Sequence, residues 1–501
     1  MSTSSTPMKE SKEDVSSQSS ALQVLEATPI DAEAERRAVR RMDMAVLPIM
    51  TMYYLLSFLD RANIGNARVA GLQKALHMTD HQYQICVTVL YVPYICAELP
   101  ANLLLRKLTP SLVMPTLLTA WGLIVTFQGF ITTYPALVGV RALLGLVEGP
   151  MFPGIVLYLS NFYTRRELSL RIAIFFSSAS LSGAFSGLLA AGIVKMDGLG
   201  GRPGWAWIFI LEGIFSVFVG IAGYFITPST PRDIKYFVTD EDKDVLERRL
   251  LRDRPSVAPN DHFSFKWVFR SISSPHVLMV FVMFYMLGTT LYGLALFLPS
   301  IVNSLGYSPN QSQLLSVGPF AGGFLLTIGS AWYSDKKQAR TVPIVAISTL
   351  AVIGYAMYLT AETKLVRYGS LYLTVPGVYA AAPVIAAWMS NNSEPYYTRA
   401  TSIAVGFIAT NSGGITSTWM FPSKDGPKFT RTTIIDLVFS ASIIVIALMN
   451  ALYLRRQNQL KVERRDQILA PYIEDGSKST DGGERAWLEL GDRHPDFKYT
   501  Y

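Results

Sequence analysis

Apolar runs of roughly 18 to 25 residues, separated by short polar breaks, recur along almost the whole chain. That length suits an α-helix crossing about 30 Å of hydrocarbon at about 1.5 Å per residue. The pattern predicts twelve spans, near residues 43–71, 82–105, 111–131, 135–160, 169–194, 205–227, 276–303, 311–333, 341–361, 368–390, 399–421 and 433–454. Gly149, Pro150 and Pro319 fall inside spans. A bilayer tolerates them because packed neighbours re-satisfy the freed backbone groups.

The expected fold is therefore an all-α membrane protein of twelve transmembrane helices in two six-helix bundles, 41–227 and 276–454. Residues 1–40 lack the apolar core of a signal peptide and read as a disordered cytoplasmic tail, leaving the first span as the insertion signal. Residues 228–275, with Asp240-Glu241-Asp242-Lys243 and Glu247-Arg248-Arg249, read as a charged cytoplasmic linker carrying one or two surface helices. Residues 455–501 form a second cytoplasmic tail with no evident module. The halves echo one another. Pro153, Tyr158, Ser160 and Asn161 at the end of span four match Pro383, Trp388, Ser390 and Asn391 at the end of span ten, and each set is soon followed by Tyr-Thr-Arg. The repetition six spans later points to duplicated halves. Small residues in spans five and eleven, such as Ser178, Ser182, Gly183, Ser412 and Gly413, permit close helix approach.

Composition fits this picture: 50% of residues are hydrophobic and 16% charged, too apolar for a soluble chain of 501 residues. The net charge of +7 sorts by side. Arg36, Arg37, Arg40 and Arg41 precede span one, Arg165, Arg166 and Arg171 join spans four and five, and Lys336, Lys337 and Arg340 follow span eight. The positive-inside rule then puts both termini in the cytoplasm, although Lys364, Arg367, Lys424, Lys428 and Arg431 are basic residues on the outer side. Orientation against an anionic inner leaflet accounts for the charge, and no soluble basic face suggests nucleic acid. Cys86 and Cys96 lie on one helix, about 15 Å apart and too far for a disulfide. No His or Cys cluster has metal spacing, and no cofactor is expected. Asn310-Gln311-Ser312 is a sequon in an outer loop; Asn391-Asn392-Ser393 falls in an inner one.

Charges inside the spans are the informative residues, since each costs several kcal/mol (about) unless paired or wetted. Asp60 and Arg61 sit in span one with Asn63 beyond; Arg141 and Glu148 lie seven residues, or about two turns, apart on one face of span four. Two acids and two bases suit an ion-pair lock between helices one and four. They equally suit anion binding with proton coupling. Arginines offer forked donors to a carboxylate, and carboxylates withdrawn from water exchange protons near physiological pH. Glu98, Glu212 and Asp436 read as structural acids; Tyr292 in span seven and Asn411 in span eleven are polar handles from the second half. There is no P-loop, dinucleotide fingerprint or nucleophile-and-base motif, so the chain is not expected to be an enzyme.

At these residues the sequence resembles the major facilitator superfamily, and within it the anion:cation symporter family in its fungal allantoate, nicotinate and pantothenate permease branch. The matching stretches are Phe58-Leu-Asp-Arg-Ala-Asn-Ile-Gly-Asn-Ala67, Arg141-Ala-Leu-Leu-Gly-Leu-Val-Glu-Gly-Pro-Met-Phe-Pro-Gly154, Trp207-Ile-Phe-Ile-Leu-Glu-Gly213 and Phe297-Leu-Pro-Ser300. The resemblance implies a two-bundle fold that alternates access. Asp60 and Glu148 then match proton-coupling acids, Arg61 and Arg141 match positions that bind the anion or gate the acids, and Asn411 matches a substrate-facing position. The superfamily's loop signature is degenerate at Asn102-Leu-Leu-Leu-Arg106-Lys107 and recognisable, without its glycine, at Ala331-Trp-Tyr-Ser-Asp335-Lys336. The inner gate is thus expected to rest on the second copy. The resulting expectation is a monomeric plasma-membrane symporter taking up a small organic anion with protons, with Asp60 and Glu148 for protons and Arg61, Arg141, Asn63, Tyr292 and Asn411 for the anion. The alternatives are a nutrient receptor of transporter fold and an uncoupled anion facilitator.

Overall fold

The computed structural model describes residues 31–104, 110–164, 167–253, 264–307, 309–420, 428–473 and 483–501. The sequence readings that involve residues 1–30, Arg106, Lys107, Arg165, Arg166 and Lys424, and the side chain of the Asn310 sequon, lie outside them.

Twelve spans form two six-helix bundles. The first holds α1 (Ala32–Val69), α2 (Asp80–Leu104), α3 (Pro110–Gln128), α4 (Tyr134–Glu148) with α5 (Met151–Phe162), α6 (Leu168–Ile193) and α7 (Gly204–Ile226). Helices α8 (Asp240–Asp253) and α9 (Phe265–Ile272) lead to the second, made of α10 (Pro275–Ser304), α11 (Pro309–Lys337), α12 (Thr341–Thr360), α13 (Lys364–Tyr379) with α14 (Ala381–Asn391), α15 (Tyr396–Met420) and α16 (Thr430–Glu463). The fourth and tenth spans are thus each built from two helices, the fourth interrupted at Gly149-Pro150, where proline offers no N–H.

The N-terminal boundary moves. Residues 32–40, expected within a disordered tail, are helical. Asp31 caps α1 by accepting from the N–H groups of Glu33 and Ala34, Glu33 and Glu35 complement the helix dipole, and Ala38 and Val39 are buried. Near the other end, α17 (Gly483–Leu490) and the residues after it fold back on the second bundle. The carbonyl of Thr500 accepts from Trp388 Nε1 (2.8 Å) and Asn392 Nδ2 (2.9 Å), and Lys461 Nζ donates to the carbonyls of Asp492 (2.6 Å) and Phe497 (2.7 Å).

Among the described residues, eight helices are long and apolar enough to cross a bilayer, and α6, bent by 40°, makes a ninth. The spans below that threshold are α2, α4 with α5, and α15, which carry Glu98, Arg141, Glu148 and Asn411. Their inward faces carry these polar groups, which lowers their apolar content, while Val92, Leu143, Leu146 and Trp419 stay exposed on the outside.

Within the bundles the principal pairs are α3 with α7, α1 with α6, α2 with α4, α10 with α15, and α12 with α13 and α16. The two largest contacts between the bundles are α6 with α11 and α2 with α15. A shift of six spans converts one joint into the other, as duplicated halves require. Close approach of α2 and α4 depends on glycine. A Cβ on Gly149 would stand 2.6 Å from the carbonyl oxygen of Tyr94, and one on Gly145 would collide with that of Leu90. At one end of the α6–α11 joint, the N–H of Leu170 donates to Asp335 Oδ2 (2.6 Å) while Asp335 Oδ1 pairs with Arg340 (2.5 Å). Asp335 belongs to the second-half copy of the loop signature and receives this donor at the N-terminus of a helix, where a carboxylate is favoured.

Candidate transport site

Asp60 and Arg61 are neighbours in sequence, but successive residues on a helix point about 100° apart. Arg61 shares its face of α1 with Ser57 and Ile64; Asp60 shares the adjoining face with Asn63. The two residues therefore enter different surroundings.

Arg61 turns to α4. Its Nε donates to Glu148 Oε1 at 2.7 Å, and the same oxygen accepts from Ser57 Oγ at 2.6 Å. Its Nη1 donates to the hydroxyl of Tyr292 on α10 (2.5 Å), and its guanidinium lies 4.7 Å from the ring centre of Tyr94, a cation–π arrangement. The chain continues: Tyr292 donates to Asn411 Oδ1 (3.1 Å), and Asn411 Nδ2 donates to Glu98 Oε1 (2.9 Å). One polar sequence thus runs α4–α1–α10–α15–α2, across the interface and back. It lies beside the cavity between the bundles.

That cavity is tight in this conformation, with about 30 Å³ of free volume, room for a water or two. Arg61 and Arg141 line it together with Tyr91, Tyr292, Tyr379 and Phe320, giving aromatic walls and two cations. Arg141 is 2% exposed. Among the described residues its Nε and Nη2 have no hydrogen-bond partner. A buried guanidinium with donors unsatisfied is costly, and an anion in the cavity would relieve the cost.

Asp60 and Asn63 face away from the cavity. Asp60 accepts from the indole N–H of Trp121 on α3, and Asn63 donates to Glu212 on α7. Both side chains are buried, as is Glu148. Of the seven predicted site residues, Arg61, Arg141 and Tyr292 line the cavity, while Glu148 and Asn411 stand just behind it, each bonded to a lining residue. Asp60 and Asn63 form a separate group toward α3 and α7. Asp436, read as structural, is buried in the second bundle and shares a small separate cavity with Tyr355 and Tyr358. Tyr91 and Tyr379 line the site without having been singled out, since buried aromatics are plentiful and hydropathy does not separate cavity from core. Among the described residues, no group of three or more His, Cys, Asp or Glu side chains could hold a metal ion.

Two six-helix bundles around a buried, charged cavity are the build of a multi-pass membrane transporter. The chain belongs to the Major Facilitator Superfamily, whose profile matches residues 50–418. This is a family of transporters of small solutes rather than enzymes. The chain is 31% identical over 471 residues to a high-affinity nicotinic acid transporter of Saccharomyces cerevisiae, covering 93% of this chain and 85% of that one. It is also 31% identical to an uncharacterised transporter of Schizosaccharomyces pombe, covering 94% and 91% of the two chains. Among solved structures, a proton:xylose symporter of the major facilitator superfamily matches with a TM-score of 0.64 at 14% identity, covering 81% of this chain and 95% of that one, which speaks to fold alone.

Proposed function

We propose that the protein is a proton-coupled symporter of a small organic anion, a carboxylate of the size of a vitamin or ureide, working by alternating access as a monomer in the plasma membrane with both termini in the cytoplasm. The observation that carries this reading is Arg141: a buried guanidinium facing the cavity with two donor nitrogens unsatisfied among the described residues. A planar carboxylate matches that fork, and each charge-assisted bond contributes about 1.5–3 kcal/mol. The nicotinic acid named for the yeast relative is such a carboxylate.

Arg61 is the second anion group, held in reserve by Glu148. Protonation of Glu148 removes the charge that restrains Arg61, which then turns with Arg141 to the incoming carboxylate. Tyr292 and Asn411 carry the change into the second bundle because Arg61 is bonded to Tyr292, and Tyr292 to Asn411. Proton and anion together leave the site neutral, and a neutral site can close in low dielectric where an unbalanced one resists. Asn63 supports α1 from the side away from the cavity, and Asp60 supplies a further proton-accepting group.

The test is uptake of a panel of radiolabelled organic acids, nicotinate included, into proteoliposomes with and without an imposed pH gradient. Accumulation of at least one carboxylate only with the gradient, abolished by Arg141→Ala, is the expected result. Uptake indifferent to the gradient would leave an uncoupled facilitator, and no uptake of any acid would defeat the anion reading.

A further inference from the structure

Four carboxyls and two guanidiniums lie buried around the first bundle and its interface: Asp60, Glu98, Glu148 and Glu212 against Arg61 and Arg141. Charges in a bilayer interior must balance closely, so two of the four acids retain protons. Glu148 is ion-paired with Arg61 and is not one of them in this conformation. Glu98, on α2, is bonded to the neutral amide of Asn411, and in this balance it holds the first of the two protons. The remaining proton belongs to Asp60 and Glu212, with Arg141 balancing the charge that they keep.

Geometry brings these two together. Asp60 and Asn63 are three residues apart on one face of α1, and Asn63 Nδ2 holds Glu212 Oε2, which fixes the Glu212 carboxyl about one turn from Asp60. Packing of α3 against α7 supports the arrangement, for a Cβ on Gly122 would stand 2.7 Å from Val217 N and 2.9 Å from Gly213 O. One oxygen of each carboxyl is occupied, Asp60 Oδ2 by Trp121 and Glu212 Oε2 by Asn63. The others, Asp60 Oδ1 and Glu212 Oε1, are buried without a hydrogen-bond partner among the described residues, and the two side chains are 2% and 8% exposed as residues. Two buried carboxyls about a helix turn apart are costly to ionise together, and one proton held between them relieves that cost.

We propose that Glu212 is a proton-binding residue of this transporter, sharing one proton with Asp60 across the first and sixth spans, so that a proton is stored behind the anion cavity rather than in it. Its part in transport rests on the proton-coupled reading above; the carboxyl pair itself does not. Loss of the proton leaves both acids charged and drives α1 and α7 apart, and Asp60, the member nearer Glu148 and Arg141, passes that change to the cavity.

The test is infrared titration of the purified full-length protein in lipid nanodiscs without substrate, following the protonated-carboxyl C=O band with pH. In the wild type a band from the pair disappears as pH rises. Glu212→Gln and Asp60→Asn each leave a single acid opposite Arg141, which stays ionised, so each variant loses this same band. Glu212→Gln keeps an oxygen for Asn63, and gel filtration checks its fold; if it aggregates, Glu212→Asp retains the pair and shifts the band instead. Survival of the pair's band in either the Gln or the Asn variant, told apart from the Glu98 band by its persistence in Glu98→Gln, would overturn the sharing. Failure of pH-gradient-driven nicotinate uptake in the wild type would instead count against coupling while leaving the band result intact.

Discussion

The Arg61–Glu148 contact can be weighed by a double-mutant cycle. Glu148 is fully buried and the Arg61 side chain 10% exposed, with 2.7 Å between Nε and Oε1. Removing one partner of such a pair strands the other, at about 3–5 kcal/mol. Glu148→Gln keeps shape and an acceptor for Ser57 but leaves Arg61 unbalanced; Arg61→Gln leaves the carboxylate unbalanced and also loses the bond to Tyr292. That last loss is common to Arg61→Gln and the double variant and cancels in the cycle. The double variant leaves two neutral amides able to bond one another. The expectation is that each single change destabilises by about 3 kcal/mol or more, that the double costs less than the sum, and that the coupling exceeds about 2 kcal/mol. The assay is SDS-driven unfolding in mixed micelles, followed by tryptophan fluorescence. Neutral interhelical hydrogen bonds in membranes couple by about 0.6 kcal/mol. A coupling at that level, or single changes that simply add, would refute the picture of a charge-bearing lock.

Arg141→Lys keeps the charge and loses the fork, so the half-saturation concentration of the best substrate should rise about 10- to 150-fold, equivalent to one charge-assisted bond of about 1.5–3 kcal/mol; an unchanged value would place the carboxylate elsewhere. At the linker, burial favours the protonated form of Asp242, but the hydrogen bonds from Arg41 (2.6 Å) and Thr239 outweigh it and hold the carboxyl below its usual range. Its contribution to docking α8 on α1 is therefore complete above the ordinary aspartate value of about 3.9 and is lost as the pH falls through the lower folded value. Hydrogen exchange of α8, corrected for intrinsic rates, should rise only at such acidity, whereas Asp242→Asn should raise it at neutral pH. Gly145→Val drives a side chain into the backbone of α2 at Leu90, an overpacking cost of about 1–3 kcal/mol or more, and should lower the yield of monodisperse protein in gel filtration. A wild-type elution profile would show that the α2–α4 contact yields.

Spans and buried charges were legible because a bilayer punishes polarity so strongly that each exception stands out. Arg61, Arg141 and Glu148 followed directly. Their partners did not: Glu98 meets Asn411 across 313 positions, and nothing in either stretch names the other. Asp60 and Arg61, adjacent in sequence, read as one cluster until the turn of the helix sent them to different neighbours. Glu212 read as structural because its significance depends on Asp60 standing one turn from Asn63 on another helix. The start of α1 was hidden for a related reason. A polar, amphipathic run such as residues 32–40 resembles a tail until the surface that buries Ala38 is present.

The interruption at Gly149-Pro150 gives the lock a mechanical meaning. Glu148 is the last residue of α4, immediately before the peptide units where the fourth span lacks a continuous ladder of hydrogen bonds. Arg61 and Ser57 therefore splint a joint as well as neutralise a charge. If Glu148 lets go as proposed, the segment from Met151 to Phe162 is free to pivot while the segment bearing Arg141 stays in place. One proton would then loosen a hinge in the same event that frees a guanidinium, and gating would need only half a helix to bend.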